Sequence, residues 1–285
     1  MKAAHYITIA SAITLTALLY RGANTIPPAK KQGPEQRPAA GGMPQGPNTM
    51  KAASFDSLLA ASKMLLPKTA ADSVKTIENE LTATRDSSRM AVVFLRLSGV
   101  WNRAKFPVVA NYFNSKAAKL ENSGKNLTFA GQIFLQLMEE ENSPSVQIWE
   151  AQQAVSCLEQ SLKVDSTNED TKLGLATAYI EGTGEPMRGV MLLRSITNEK
   201  PNDIPANMLL GRMSLQSGQN DKAVKRFETV LSQEPKNTEA MFFLARAYEG
   251  LGNKKKAIEL LEQCKKLVDK PEFSKEIDQH LSTLK

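Results

Sequence analysis

The chain has 285 residues, 41% of them apolar and only 6% aromatic, enough for a sizeable core in one or two domains and better suited to helices packed on Leu, Ala and Met than to a large β-sandwich. Two His and two Cys in the whole sequence exclude most zinc sites, haem ligation, disulfide scaffolds and His-based catalysis. The net charge of +6 belongs to the N-terminus: residues 1–53 carry six basic side chains against the single acid Glu35, whereas residues 54–285 hold 30 bases and 29 acids. A nucleic-acid-binding domain concentrates Lys and Arg on one face, so no nucleic-acid partner is expected.

Tyr6 to Tyr20 is a run of fifteen residues without a charge, preceded by Lys2. Extended back to Ala3, the run reaches about 27 Å as a helix, close to the hydrocarbon thickness of a bilayer. A cleaved secretory signal is the other reading, but the run leaves through Leu19-Tyr20-Arg21-Gly22, a poor match to small residues at a cleavage site. The cysteines lie only at 157 and 264, which excludes a lipoprotein anchor directly after the run. Residues 1–22 are therefore expected to be an uncleaved transmembrane anchor. Lys and Arg counts favour a cytoplasmic C-terminal part, while the Met-Lys-apolar layout favours export. The expectation taken forward is a single-pass protein on the periplasmic side of a bacterial inner membrane. Residues 22–53 hold six of the fourteen prolines and five of the sixteen glycines, and 23–53 reads as a tether that cannot bury enough surface to order itself.

Beyond the tether, 54–90 reads as two helices, Phe55 to Leu66 and Ala70 to Thr84, that cover the first repeat of a longer array. Self-similarity sets the pattern of that array. Ala223 and Ala257 are 34 residues apart; Gly218 falls on Gly252, Leu210 on Leu244, and Phe227 on Leu261. The last unit runs Met241-x2-Leu244-Ala245-x2-Tyr248-x3-Gly252-x4-Ala257-x3-Leu261. The unit before it shows Leu210-Gly211, Gly218, Ala223, Phe227 and Pro235, with Ser214 where the other has Tyr. This pattern resembles the tetratricopeptide-repeat (TPR) family. A third unit opens at Leu175-Ala176-x2-Tyr179, closes at Leu193 and Pro201, and carries one extra residue in its Glu181–Glu185 turn and Gly189 in place of Ala. Two weaker units precede it. One pairs Leu127-x2-Ala130-Gly131-x2-Phe134 with Ala154, Leu158 and Leu162, and has about eleven residues inserted around Asn142-Ser143-Pro144. The other is Leu97-Ser98-x2-Trp101 followed by Ala110 and Ala117. About five repeats thus span 91–271. Phe273, Ile277, Leu281 and Leu284 form one stripe on a capping helix over 272–285. The fold expected is all-α: a right-handed superhelical solenoid of helix hairpins with a C-terminal cap and an N-terminal membrane anchor.

Small residues at Gly211, Ala223, Ala245 and Ala257 let paired helices approach. Phe227, Leu244, Tyr248 and Leu261 fill the space between hairpins, and Gly218 and Gly252 supply the positive φ that ends a first helix. Cys157 and Cys264 lie about three repeats apart and read as core fillers, not as a disulfide. No nucleophile elbow, Walker loop or dinucleotide fingerprint occurs; Gly182-x-Gly184 leads into Glu185-Pro186 at a helix–helix turn. Asp-Ser-Leu at 56–58, Asp-Ser-Val at 72–74 and Asp-Ser-Thr at 165–167 resemble a short bacterial O-glycosylation triplet, and Asn126-Leu127-Thr128 is an N-glycosylation sequon.

The family resemblance implies that positions 2, 5, 9 and 12 of each repeat line a concave groove. In this sequence these include Arg212 and Arg246 at position 9, Leu173, Met208 and Phe242 at position 5, and Ile180, Leu215 and Glu249 at position 12. Apolar side chains beside two stacked arginines suit an extended peptide with an acidic group. The Lys/Asn carboxylate clamp of chaperone-type TPR domains is not matched. In layout the chain is similar to bacterial single-span TPR proteins. The expected function is a non-enzymatic, membrane-tethered scaffold for a protein or peptide, within a membrane complex, with no cofactor, metal, catalytic residue or small-molecule substrate. The alternative is a TPR protein that associates with its own copies and binds nothing in its groove.

Overall fold

A computed structural model of the chain describes residues 51–268 and 270–284; the expected anchor and nearly all of the expected tether, residues 1–50, lie outside the described residues. Thirteen α-helices and no strand are found among the described residues: α1 (Phe55–Met64), α2 (Lys68–Ala83), α3 (Ser87–Arg103), α4 (Pro107–Glu121), α5 (Gly124–Glu140), α6 (Pro144–Val164), α7 (Glu169–Thr177), α8 (Pro186–Glu199), α9 (Ile204–Gln216), α10 (Asn220–Gln233), α11 (Thr238–Gly250), α12 (Lys254–Leu267) and α13 (Pro271–Leu284). They pair as hairpins α3–α4, α5–α6, α7–α8, α9–α10 and α11–α12, each packed on the next, with α13 against α12.

The sequence starts each first helix in the same way. Asn168, Asp203 and Asn237 sit at the N-caps of α7, α9 and α11, and each side-chain oxygen accepts from the amide three residues on, at 2.8–2.9 Å. The stops are equally regular: Gly218 and Gly252 have φ of 70° and 74°, the left-handed conformation that a Cβ disfavours. Phe227 is fully buried, lies against Gly211 of its own hairpin, and stacks on Phe243 of the next at 5.6 Å between ring centroids. A Cβ on Gly211 would come within 2.6 Å of that ring, so the small residue is what lets Phe227 reach the interface.

Two irregular repeats keep the hairpin by different means. The extra residue of the third repeat is absorbed as a π-turn over Ala178–Gly182, where the Thr183 amide donates to Ala178 O at 3.0 Å. This turn brings α8 so close that a Cβ on Gly189 would lie 2.7 Å from Ala176 O, which accounts for glycine where the other repeats have alanine. The insertion expected around 142–144 is not a loop. Only residues 141–143 separate α5 from α6, and the added residues lengthen those helices to 17 and 21 residues. Backbone amides and carbonyls in a longer helix satisfy one another, which an eleven-residue loop could not do.

The N-terminal helices lie on the first repeat and, beyond what was expected, reach the second hairpin as well. Phe55 of α1 stacks on Tyr112 at 3.5 Å and on Trp149 at 5.8 Å, bridging α4 and α6. The folded part begins slightly earlier than the expected boundary at 54: Ala52 and Ala53 pack on the second hairpin, and the Ala53 amide donates to Ser145 O at 2.8 Å. At the other end Phe273, Ile277 and Leu281 of α13 are buried. Cys157 and Cys264 are free and buried, as core fillers would be.

Two of the repeat interfaces also carry a polar lock. Tyr179 donates its hydroxyl to Glu159 of the preceding second helix, and the Arg188 guanidinium lies 4.0 Å from the Tyr179 ring centroid. The last interface repeats the arrangement with Tyr248, Glu228 at 2.8 Å, and Lys256 over the ring at 4.6 Å. Each lock joins two hairpins through an acid, an aromatic ring and a cation.

The first hairpin departs from the glycine rule. Lys105, eight residues after Leu97 as Gly218 is eight after Leu210, takes a φ of 67°. That conformation costs a residue with a Cβ about 1–2 kcal/mol, and the side chain of Lys105 makes no ion pair or hydrogen bond among the described residues that would offset it. Lys105→Gly is expected to stabilise the protein by about 0.5–1 kcal/mol after the entropy of the added glycine is counted, measured by urea denaturation. Destabilisation instead would place the strain elsewhere.

Candidate binding groove on the first helices

The first helices α7, α9 and α11 touch one another in succession. The residues expected to line their inner face fall into three physical groups. Leu173 and Ile180 are half-buried and pack on the core of the third hairpin, beside Ala176, Leu193 and Leu210. Met208 is buried, leaving little of its side chain for a partner. Leu215 and Phe242 keep part of their surface open.

The two arginines differ electrostatically. Arg212 Nη2 pairs with Glu181 at 2.8 Å, and its guanidinium lies 5.9 Å from the Phe243 ring centroid on the following hairpin. Glu139, on the added turn of α5, belongs to the same cluster. Burial first, and then the charge of Glu181, raise its carboxyl above the ordinary range, with Arg212 acting against them. Arg212 is therefore a neutralised charge that a ligand carboxylate must share with Glu181. The side chain of Arg246 is half-buried, makes no ion pair or hydrogen bond among the described residues, and is the open cation of the two. At position 12 of the last repeat, Glu249 is held by His280 Nε2 of the capping helix at 2.7 Å, which closes that end of the row.

The opposite end is open. A cleft of about 750 Å³ lies between α2 and α3, floored by Ile77, Val92, Leu95 and Gly99 and edged by Asp72 and Arg103. Val92 and Leu95 are 57% and 44% exposed. Counted from Leu97 in the repeat register, Val92, Leu95 and Gly99 are positions 2, 5 and 9 of the first repeat. Leu95 and Gly99 are thus the counterparts of Met208 and Arg212, and of Phe242 and Arg246. A side chain at Gly99 would meet only the tip of Arg103 at 3.4 Å, so the floor there is open to an incoming chain. Arg96 at the rim is engaged with Glu80.

Residues 214–274 match the sequence model of the tetratricopeptide repeat family. That segment belongs to the tetratricopeptide-repeat family. Solved structures agree on the fold. A MamA crystal structure superposes with a TM-score of 0.50 at 18% identity, covering 62% of this chain and 91% of that one. MamA from Desulfovibrio magneticus RS-1, residues 41 to the end, gives 0.50 at 17% identity over 64% and 96%. YrrB, described as a TPR protein with an unusual peptide-binding site, gives 0.48 at 18% identity over 66% and 92%, a superposition too loose to bear on the groove of this chain. No curated protein matches the sequence.

Among the described residues, no group of His, Cys, Asp and Glu could hold a metal ion, and no helix is long and apolar enough to cross a membrane. The glycosylation-like triplets fall in different settings. Thr128 of the sequon is buried, its hydroxyl bonded to Ser161 and Thr171 at 2.8 and 2.7 Å, whereas Asp165-Ser166-Thr167 forms an exposed turn.

Among the described residues the one buried carboxylate is Glu150 in α6, fully enclosed and with neither oxygen hydrogen-bonded. Nothing in the sequence pattern singled it out, because the lengthened α6 carries it outside the repeat register. Burial, and then the charge of Glu141, push its carboxyl up to about 8 from the ordinary 4.5. Between those values the folded state alone retains the proton, so stability falls as pH rises through the window. Glu150→Gln should remove this slope, which amounts to at most about 1.4 kcal/mol per pH unit. Denaturation from pH 5 to 8 measures it: the variant should gain on wild type as pH rises, and parallel curves would mean that Glu150 is not protonated in the folded state.

Proposed function

We propose that this protein is a membrane-tethered, non-catalytic adaptor that holds an extended segment of a partner protein along the inner face of its first helices. The observation carrying the reading is the cleft between α2 and α3, where groove positions of the first repeat present exposed Val92 and Leu95 around an open floor at Gly99. Exposed neighbouring apolar side chains in a concave setting cost free energy in water that an apolar anchor of a partner would recover. Further along the same register Leu215, Phe242 and Arg246 offer apolar surface and one open cation, and Arg212 offers a charge shared with Glu181. A segment with an apolar residue at its α2–α3 end and a carboxylate near Arg246 fits that order. Membrane attachment through residues 3–20, with the repeats on the periplasmic side, rests on the apolar run and the Pro/Gly-rich stretch after it.

The test uses the full-length protein in its own membranes, with a photo-crosslinking amino acid in place of Thr76 at the cleft rim. One or more protein partners should be captured. Leu95→Asp or Arg246→Ala should lower the yield about tenfold or more, with circular dichroism unchanged. Capture of the same partners at wild-type yield by both variants would contradict the groove. In the same preparation alkaline carbonate should leave the protein in the membrane pellet, and its release would contradict the tether.

A further inference from the structure

The interface between the third and fourth hairpins lacks the lock found at its neighbours. In the repeat register Arg194 stands where Glu159 and Glu228 stand, and Ser214 stands where Tyr179 and Tyr248 stand. The cation remains: Lys222 is the counterpart of Lys256, and it reaches only Gln219 Oε1 at 2.5 Å. An arginine has replaced the acid, and no aromatic ring covers it. Ser214 turns inward and donates to Leu210 O at 2.8 Å, so it contributes nothing to the charge balance.

A second guanidinium faces the same place. Arg226 of α10 is half-buried, and its Nη1 donates to Asn207 Oδ1, a fully buried side chain, at 2.8 Å. Burial first, and then the like charge of Arg194, lower the Arg226 guanidinium below its ordinary value. The Arg226 guanidinium makes no ion pair among the described residues. Arg194 is exposed, and its side chain has no ion pair or hydrogen bond among the described residues. Arg194 and Arg226 thus act on each other at a register position whose equivalents each hold a carboxylate, and Lys222 keeps the register position of the cation.

The adjoining surface is apolar. Met187 and Met191 are 68% and 70% exposed, and at spacings of four and three residues they share one face of α8 with Arg194. Exposed methionines form an adaptable contact surface. This face belongs to second helices and does not include the groove positions of α7, α9 and α11.

We propose that the Met187–Met191–Arg194 face of α8, with Arg226 behind it, is a second docking surface, and that it takes an acidic segment of a partner protein whose carboxylate occupies the place of the missing Glu. Charge complementarity selects the occupant: the flanking interfaces show an acid at this register, and here only cations remain to receive one. The half-buried position of Arg226 favours a carboxylate on a projecting side chain, which can enter beside it, over the flat headgroup layer of an anionic bilayer. The planar guanidinium of Arg226, fixed through Asn207, presents paired donors to such a group.

A phage-displayed library of random twelve-residue peptides is selected on the full-length protein in detergent, and recovered peptides are synthesised and titrated by fluorescence anisotropy. Arg194→Glu restores the register acid at an exposed site and should leave the melting temperature within a few degrees of wild type. Met191→Ser is the second variant. The expected result is a peptide class carrying Asp or Glu beside Met, Leu or Phe that binds wild type, loses at least tenfold in affinity on Arg194→Glu and weakens on Met191→Ser. Its binding should be untouched by Leu95→Asp and Arg246→Ala, which separates this surface from the groove. Peptides lost on Arg194→Glu that lack an acid would overturn the proposal, as would a selection with no peptide sensitive to that change. Vesicles of phosphatidylglycerol that co-sediment with the protein in an Arg194-dependent way, without such peptides, would assign the surface to a membrane and overturn it equally.

Discussion

Each helix hairpin of this protein has apolar surface on two sides and covers only one of them itself. The rest is completed by the next hairpin, and Phe227 shows how: its ring sits on Gly211 within the hairpin and on Phe243 beyond it. Burying such a ring is worth about 1.5–3 kcal/mol, and it is available only while both neighbours are in place. Order is therefore shared along the array, and the ends need covers, which α1, α2 and α13 supply. The same rule fixes where a partner can bind. Surface used between hairpins is closed, and what remains are faces of first helices on one side and of second helices on the other.

Polar groups follow the same division. At two of the junctions between hairpins, Glu159–Tyr179–Arg188 and Glu228–Tyr248–Lys256 satisfy one another, and the exposed Arg188–Glu159 ion pair contributes little on its own. Arg212 is drawn into the interior balance by Glu181 and Glu139, which leaves Arg246 as the open charge on the inner face. Charge in this fold goes first to joining repeats, and the side chains left over mark candidate contact sites.

Much of the fold was legible in the sequence because its determinants are local and periodic. The 34-residue spacing of Ala223 and Ala257, the stops at Gly218 and Gly252, and the stripe of Phe273, Ile277 and Leu281 each report one short-range constraint. The degenerate repeats were less legible. An insertion in a pattern looks like a loop, yet α5 and α6 lengthened because a helix satisfies its own backbone, and a single extra residue near Gly182 became a π-turn. Inner-face residues could be named by register, but register does not reveal neighbours. It could not show that Met208 is buried, that Arg212 is paired, or that Glu249 is held by His280. The α2–α3 cleft was within reach, since extending the register back from Leu97 names Val92, Leu95 and Gly99. Glu150 was not, because its enclosure comes from lengthened helices that no pattern announced.

The claim beneath all of this is that order passes through the repeat interfaces, and hydrogen exchange on Phe227→Ala in the full-length protein addresses it most directly. The substitution should cost about 3–5 kcal/mol, because neighbouring helices cannot refill the space. Protection should fall in α9 and α11 as well as in α10, since both flanking hairpins lose the surface that completes them. A variant that melts like wild type, or that loses protection in α10 alone, would show that the hairpins stand independently and would contradict the account.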